Sequence, residues 1–180
     1  MSNSGFASRW AWADIDLGAV RNNVTALIAA NPSQQLWAVV KANAYGHGAV
    51  EVANAALQAG AAGLCVALAD EALALRAAGI TAPVLVMSEQ PVSQYTAMIE
   101  NDVIATLYNE DSIEQYANAA ATAKRTALVH LKIDTGMHRV GVGVDGALNA
   151  ATLIASKPLL QLDGVYTHLA TADDAAHLGA

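Results

Sequence analysis

Near-continuous apolar runs alternate with longer alanine-rich segments through most of this chain, and that alternation constrains the fold more than any other feature. The runs are Leu36–Val40, Gly63–Leu68, Pro83–Met87, Val103–Leu107, Ala127–Ile133 and Leu160–Leu169. Helix-like stretches lie between them at Ala49–Ala59, Asp70–Ala78, Val92–Glu100, Glu110–Lys124 and Asp145–Ser156. A strand without polar alternation is covered on both faces, which is the habit of parallel sheets. Strand–helix units of about thirty residues then imply right-handed crossovers. An earlier helix, Leu17–Ala30, follows a period-two segment, Trp10–Leu17, and stops before Asn31-Pro32 because the residue preceding proline avoids helical backbone. Asp70 and Asp111 are the expected N-caps, and Gly60 and Gly79 the left-handed C-terminal stops.

Two architectures satisfy this order, an open doubly wound sheet and a (β/α)8 barrel. The turn after the first strand reads Lys41-Ala-Asn-Ala-Tyr-Gly-His-Gly48, so the glycine fingerprint of a dinucleotide fold is missing. Polar residues collect instead at the C-terminal ends of the strands: Lys41, Ser88, Asn109, Lys132, Asp134 and His168. Barrel active sites sit there, so the expected class is α/β, a TIM-type barrel. With 54% apolar and 14% charged residues the chain is no disordered polymer. No apolar run reaches the ~18 residues of a membrane span, and the first ten residues lack a secretory layout. A net charge of −7 without any Lys/Arg cluster argues against nucleic acid as a partner. Cys65, the single cysteine, lies in an apolar stretch and reads as a buried, inert thiol of a cytoplasmic protein.

Several residues could carry chemistry. Strand alternation puts Lys41 on the face of Trp37 and Val39; if that face is the lumen, burial lowers the amine pKa as a Schiff-base lysine requires. A lysine that snorkels out of a strand end is the alternative. The loop Asn43–Gly48 opens into a helix and suits an anion, with Tyr45 as hydroxyl donor; an ordinary strand-to-helix turn explains it as well. His47 reads as loop-stabilising or solvent-side. In the fifth strand His130, Lys132 and Asp134 share a parity, which puts them inside if both faces are buried, where charges need partners. Arg139, just past that strand, offers a guanidinium fork to a carboxylate or phenolic oxygen, or else makes a surface salt bridge. Gly164, Tyr166 and His168 share a parity, so His168 either orients a partner or is a satisfied core histidine. Asp173 and Asp174 fit a helix start, and His177 reads as solvent-exposed. No metal is expected, because His130, His138 and His168 lack ligand spacing. Neither a serine-hydrolase elbow nor an activated thiolate is present.

Together these residues resemble the bacterial alanine racemases. Trp37–Gly48 resembles the signature around the lysine that holds pyridoxal 5′-phosphate (PLP) as an internal aldimine. Trp12–Leu17 resembles the family's opening strand, Val66–Glu71 its second strand and turn, Leu131–Met137 its fifth strand and Gly164–Asp173 its sixth. His138 stands where members more often carry glycine or another small or polar residue. The resemblance implies that Lys41 carries the cofactor and serves as acid/base on one face of the substrate Cα. It implies that Tyr45 bonds the phosphate, that Arg139 contacts the phenolic oxygen and the substrate, and that His168 flanks the pyridine ring. Lys132 corresponds to a lysine often carbamylated, whose carbamate pairs with the arginine, and Met137 lies near the substrate carboxylate.

The implied activity is interconversion of L- and D-alanine by two-base proton transfer, supplying D-alanine for peptidoglycan. The implied enzyme is a cytoplasmic homodimer whose second base is a tyrosine from the other subunit's C-terminal β-domain. Residues 1–180 hold about six βα units, against ~250 residues for a typical barrel. The expectation is therefore a partial N-terminal PLP-binding barrel, without the last two strands and the β-domain. It is expected to be inactive alone, with its open edge covered by oligomerisation or swapping. A broader-range amino-acid racemase, a related decarboxylase and a non-catalytic PLP-binding module are the alternatives.

Overall fold

The structure is a computed structural model that describes residues 11–173. In chain order the elements are α1 (Leu17–Ala30), β1 (Trp37–Val39), α2 (Lys41–Tyr45), α3 (Ala49–Gln58), β2 (Gly63–Val66), α4 (Ala69–Ala77) and β3 (Val84–Val86). There follow α5 (Tyr95–Glu100), β4 (Ala105–Leu107), α6 (Glu110–Ala123), β5 (Ala127–Asp134), β6 (Val142–Gly143), α7 (Ala147–Ala155) and β7 (Leu160–Tyr166).

All pairings are parallel: β1 with β2, β2 with β3, β4 with β5, and β5 with β7. A bridge between Leu85 and Ile104 joins the two halves, carried by Ile104 N–H to Val84 O at 2.9 Å and Val86 N–H to Ile104 O at 3.0 Å. The result is an arc of barrel strands in the order β1-β2-β3-β4-β5-β7, with the two-residue β6 added beside the end of β5.

Both faces of the arc are covered, as uninterrupted apolar runs require. Leu64, Val66, Val84, Val86, Leu107, Val129 and Leu131 point outward and pack under the helices against Leu75, Met98, Ile113 and Ile154. Burying each such side chain stabilises the fold by roughly 1.5–3 kcal/mol. The alternate residues Cys65, Leu85 and Ile104 face inward and cluster with Trp37, Met87 and Tyr166, which fills the lumen floor. Gly63 is required there: a Cβ would stand 2.6 Å from the Trp37 ring. Likewise Gly164 leaves room for the His130 ring, whose Cε1 would lie 2.7 Å from a Cβ.

Local details depart from the sequence reading where capping geometry decides. Asn109, not Asp111, caps α6, its Oδ1 accepting from Ser112 N–H at 2.8 Å. Leu68 precedes α4, so Asp70 lies in the first turn and is no cap. Both aspartates still face the positive end of a helix dipole. Gly60 (φ 104°) and Gly79 (φ 84°) are left-handed stops as expected. The helix expected at Val92–Glu100 is a 3₁₀ turn, Val92–Gln94, followed by α5; a second such turn, Val144–Gly146, precedes α7. No strand forms over residues 11–16; Asp16 instead caps α1 through Gly18 N–H at 2.7 Å and Ala19 N–H at 3.0 Å. The last strand ends at Tyr166, short of Leu169, and Asp173 lies in an exposed turn. Trp10, Asp174 and His177 lie outside the described residues. Among those residues no helix is long and apolar enough to cross a membrane.

Candidate active site

The chain leaves β1 one residue earlier than its apolar run suggests. Lys41 therefore does not continue the strand; it opens a turn in which Ala42, Asn43, Ala44 and Tyr45 all have positive φ, at 50°, 54°, 52° and 55°. Left-handed helical backbone costs an L-residue roughly 1–2 kcal/mol, so this turn is held by contacts from outside it. Glu71 supplies the principal one: its Oε1 accepts from Ala42 N–H at 2.6 Å, and its Oε2 from Ala67 N–H at 2.8 Å and Leu68 N–H at 3.0 Å. Within the turn Ala44 N–H reaches Val40 O at 2.9 Å, and His47 Nδ1 lies 2.9 Å from Ala44 O, the loop-stabilising role expected of it. Asn43 Oδ1 takes the first amide of α3, that of Ala49, at 2.8 Å, and Glu51 stands in the first helical turn. One amide of the α3 terminus is thereby taken by the chain itself. Lys41 Nζ comes to 5.9 Å from the centroid of the Tyr45 ring.

The exit of β5 carries the second group of side chains. Lys132 is only 5% exposed; its Nζ lies 5.3 Å from the Tyr166 ring and 3.4 Å from Met87 O. Burial first, then repulsion from Arg139 and Lys41, lowers its pKa below the ordinary 10.5, with Asp134 opposing. The more deeply buried amine is thus Lys132, while Lys41 is half-buried, the reverse of the sequence emphasis. Tyr166 donates its hydroxyl to Met87 O at 2.9 Å and shares a 2.8 Å hydrogen bond with Thr106 Oγ1; burial pushes its phenol up to about 12. His130 does not enter the site, being placed 3.3 Å from Asp163. Asp134 is committed to the following loop: its Oδ1 accepts from His138 N–H at 3.0 Å and Gly136 N–H at 3.1 Å, and its Oδ2 meets His138 Nδ1 at 3.1 Å. Those backbone donors hold its carboxyl below the usual range.

A cleft of about 340 Å³ at the C-terminal ends of the strands brings together Lys41, Tyr45, Lys132, Arg139 and His168, with Val39, Met87, Ser88 and Val140 among its walls. Met137 lies beside it, lining a small adjoining recess with Lys132, Arg139 and His168. Arg139 and His168 are exposed, so His168 is not a satisfied core histidine, and among the described residues Arg139 makes no ion pair. Ser88 spends its hydroxyl on Ala67 O at 3.1 Å, and Asn109 is used in capping α6. Cys65 is buried and unpaired, and desolvation raises its thiol to about 11, which makes it inert as expected. Among the described residues no cluster of three or more His, Cys, Asp or Glu could hold a metal.

Three cations and a phenol thus surround the cleft, and Asp134, which lines the adjoining recess, is committed to its own loop. The cleft lies within the ~300–1,000 Å³ typical of small-molecule sites. That donor set fits an anionic ring compound with an electrophilic carbonyl: an amine to condense, and cations and a hydroxyl to hold phosphate and phenolate. PLP has that chemistry. Glu71 and the Tyr166 hydroxyl are the organising groups that the sequence reading missed. Glu71 lies within the Val66–Glu71 segment, yet one of its N–H donors, Ala42, belongs to the turn after β1; Tyr166 is signalled in the sequence only by sharing parity with His168.

Fold and cleft together define an α/β-barrel domain with a basic, amine-bearing site at the C-terminal strand ends. The chain belongs to the family described as "Alanine racemase, N-terminal domain", whose profile matches residues 15–179. It is 45% identical over 166 residues to an alanine racemase of Halalkalibacterium halodurans, covering 91% of this chain and 42% of the relative. The crystal structure of alanine racemase from the D-cycloserine-producing Streptomyces lavendulae superposes with a TM-score of 0.86 at 42% identity, over 91% of this chain and 44% of that one. The alanine racemase of Bacillus anthracis with bound L-Ala-P gives a TM-score of 0.82 at 42% identity, over 89% and 42%. The chain therefore spans less than half the length of the relatives it matches.

Proposed function

We propose that residues 1–180 form the PLP-binding, N-terminal barrel part of an alanine racemase, which interconverts L- and D-alanine. The observation that carries this reading is the convergence of Lys41, Tyr45, Lys132, Arg139 and His168 on one cleft from three separate strand ends. L-Ala-P bound to the similar Bacillus anthracis enzyme supports alanine as the substrate.

In this reading Lys41 holds the cofactor, Tyr45 bonds its phosphate, Arg139 faces its phenolic oxygen and His168 flanks its pyridine ring. Bound there, PLP supplies an electron sink for the carbon that loses its proton. The chain's own residues do the remainder. Lys41 takes or returns a proton at the substrate Cα from one face. Arg139, free of carboxylate partners in its own loop, attracts the substrate carboxylate, with Met137 beside it. Lys132, with its lowered pKa, presents more free amine than an exposed lysine. Reaction of that amine with carbon dioxide, with loss of a proton, gives a carbamate that neutralises the buried cation and pairs with Arg139. The Tyr166 hydroxyl is committed to Met87 and Thr106; the family resemblance implies that the base on the other face is a tyrosine of a second subunit in a homodimer. Its place is the cytoplasm, where the lone thiol of Cys65 stays reduced.

Incubation with PLP, borohydride reduction and peptide mapping test the assignment. A pyridoxyl group on Lys41 is expected. Label elsewhere would count against the reading, and no label at all would favour a domain that serves only as an interaction module.

A further inference from the structure

We infer that Glu71 is a positioning residue that holds the left-handed turn after β1, and through it the placement of Lys41 and Tyr45. The inference deepens the proposed function and rests on it for the cofactor, though not for the backbone geometry.

The argument starts from the turn itself. Its strained residues are Ala42, Asn43, Ala44 and Tyr45, and none of them is glycine. Left to local preference, such a sequence prefers the right-handed region. Hydrogen bonds inside the turn do not select its hand, since a right-handed turn would satisfy the same amides. Selection comes from Glu71. Its carboxylate reaches the amide of Ala42, the first strained residue, from 29 positions along the chain, with the shortest contact of the three it makes. The other oxygen is fixed at the same time by the amides of Ala67 and Leu68, at the end of β2. One carboxylate thus ties the exit of β1 to the exit of β2.

The consequence lies in the cleft. Lys41 immediately precedes the strained residues and Tyr45 closes them, and the left-handed path brings the Tyr45 ring to 5.9 Å from Lys41 Nζ. A turn of the other hand would carry Tyr45 away from that amine. Glutamine is no substitute at position 71, because its amide nitrogen would face a backbone N–H on one side or the other.

The test combines E71A with A42G, a change at an exposed residue that removes the cost of positive φ at the first of the four strained positions, the one Glu71 bonds. Without cofactor, backbone chemical shifts over residues 42–45 are expected to lose their left-handed signature in E71A and recover it in E71A/A42G. With cofactor, PLP affinity and the yield of borohydride-trapped label on Lys41 are expected to fall about tenfold in E71A, and to return most of the way in E71A/A42G. A42G alone is expected to leave both near the unsubstituted level. Retention of the left-handed shifts and of the label in E71A would overturn the inference, as would a loss that A42G does not recover. If E71A does not fold by circular dichroism, E71Q is measured in its place, and failure of A42G to restore folding or label there counts against the inference. Absence of Lys41 label in the unsubstituted chain would instead overturn the functional reading, with the shift experiment still deciding the role of Glu71.

Discussion

The turns after β1 and β5 face the same cleft and are built on opposite plans. Each delivers a cation, Lys41 from the first and Arg139 from the second, and each is organised by one carboxylate accepting backbone N–H groups. After β5 the carboxylate is local: Asp134 bonds Gly136 and His138, two and four residues ahead. After β1 it is remote, Glu71 reaching back 29 positions. A local clasp forms with its own loop, whereas a remote one forms only when two βα units have docked. The first turn's geometry therefore depends on the barrel, and the second's largely on itself.

The largest effect that sharpens this contrast comes from K41A, which is expected to abolish pyridoxyl labelling while leaving the Asp134 loop unchanged in amide hydrogen exchange. Next is stability. E71A leaves three backbone donors without their carboxylate and is expected to lower the unfolding free energy by roughly 2–4 kcal/mol in urea titrations. D134A is expected to cost less, and an equal or larger loss would break the comparison.

Smaller effects appear on titration. Asp134 has a depressed pKa, so its contribution is present above the ordinary 3.8 and is lost as pH falls through the lower, folded value. Amide exchange at Gly136 and His138 should accelerate in that acid window. Lys132 has a linkage of the same sign in an alkaline window. Its folded pKa lies below 10.5, so the unfolded chain binds more protons and stability rises as pH climbs toward 10.5. K132M should flatten that rise in denaturant midpoints measured from about pH 8 to about pH 10. The smallest effect is expected from H138G. It relieves the positive φ of 52° but removes the ring contact to Asp134, leaving stability within about 0.5 kcal/mol by the same titration.

The same contrast explains what could be read in advance. The parallel strands were legible because uninterrupted apolar runs have few other uses, and the glycine stops at Gly60 and Gly79 because positive φ favours glycine. The convergence of Lys41, Tyr45, Lys132, Arg139 and His168 followed from their places at strand ends. The left-handed turn was not legible, since Ala42-Asn43-Ala44-Tyr45 contains no residue that demands positive φ. Its cause lies in Glu71, whose partners no local pattern announces. The early departure from β1 also leaves Lys41 half-buried at the start of the turn, while Lys132 on β5 is the more deeply buried amine. The caps differ from expectation for a related reason: Asp70 and Asp111 have suitable side chains, but the strands end so that Leu68 and Asn109 take the cap positions.

Partition of a trapped pyridoxyl label between the two cleft lysines tests the central claim most directly. The account predicts label on Lys41 in the unsubstituted chain and in K132M, and none in K41A. Label on Lys132, or label persisting in K41A, would contradict it.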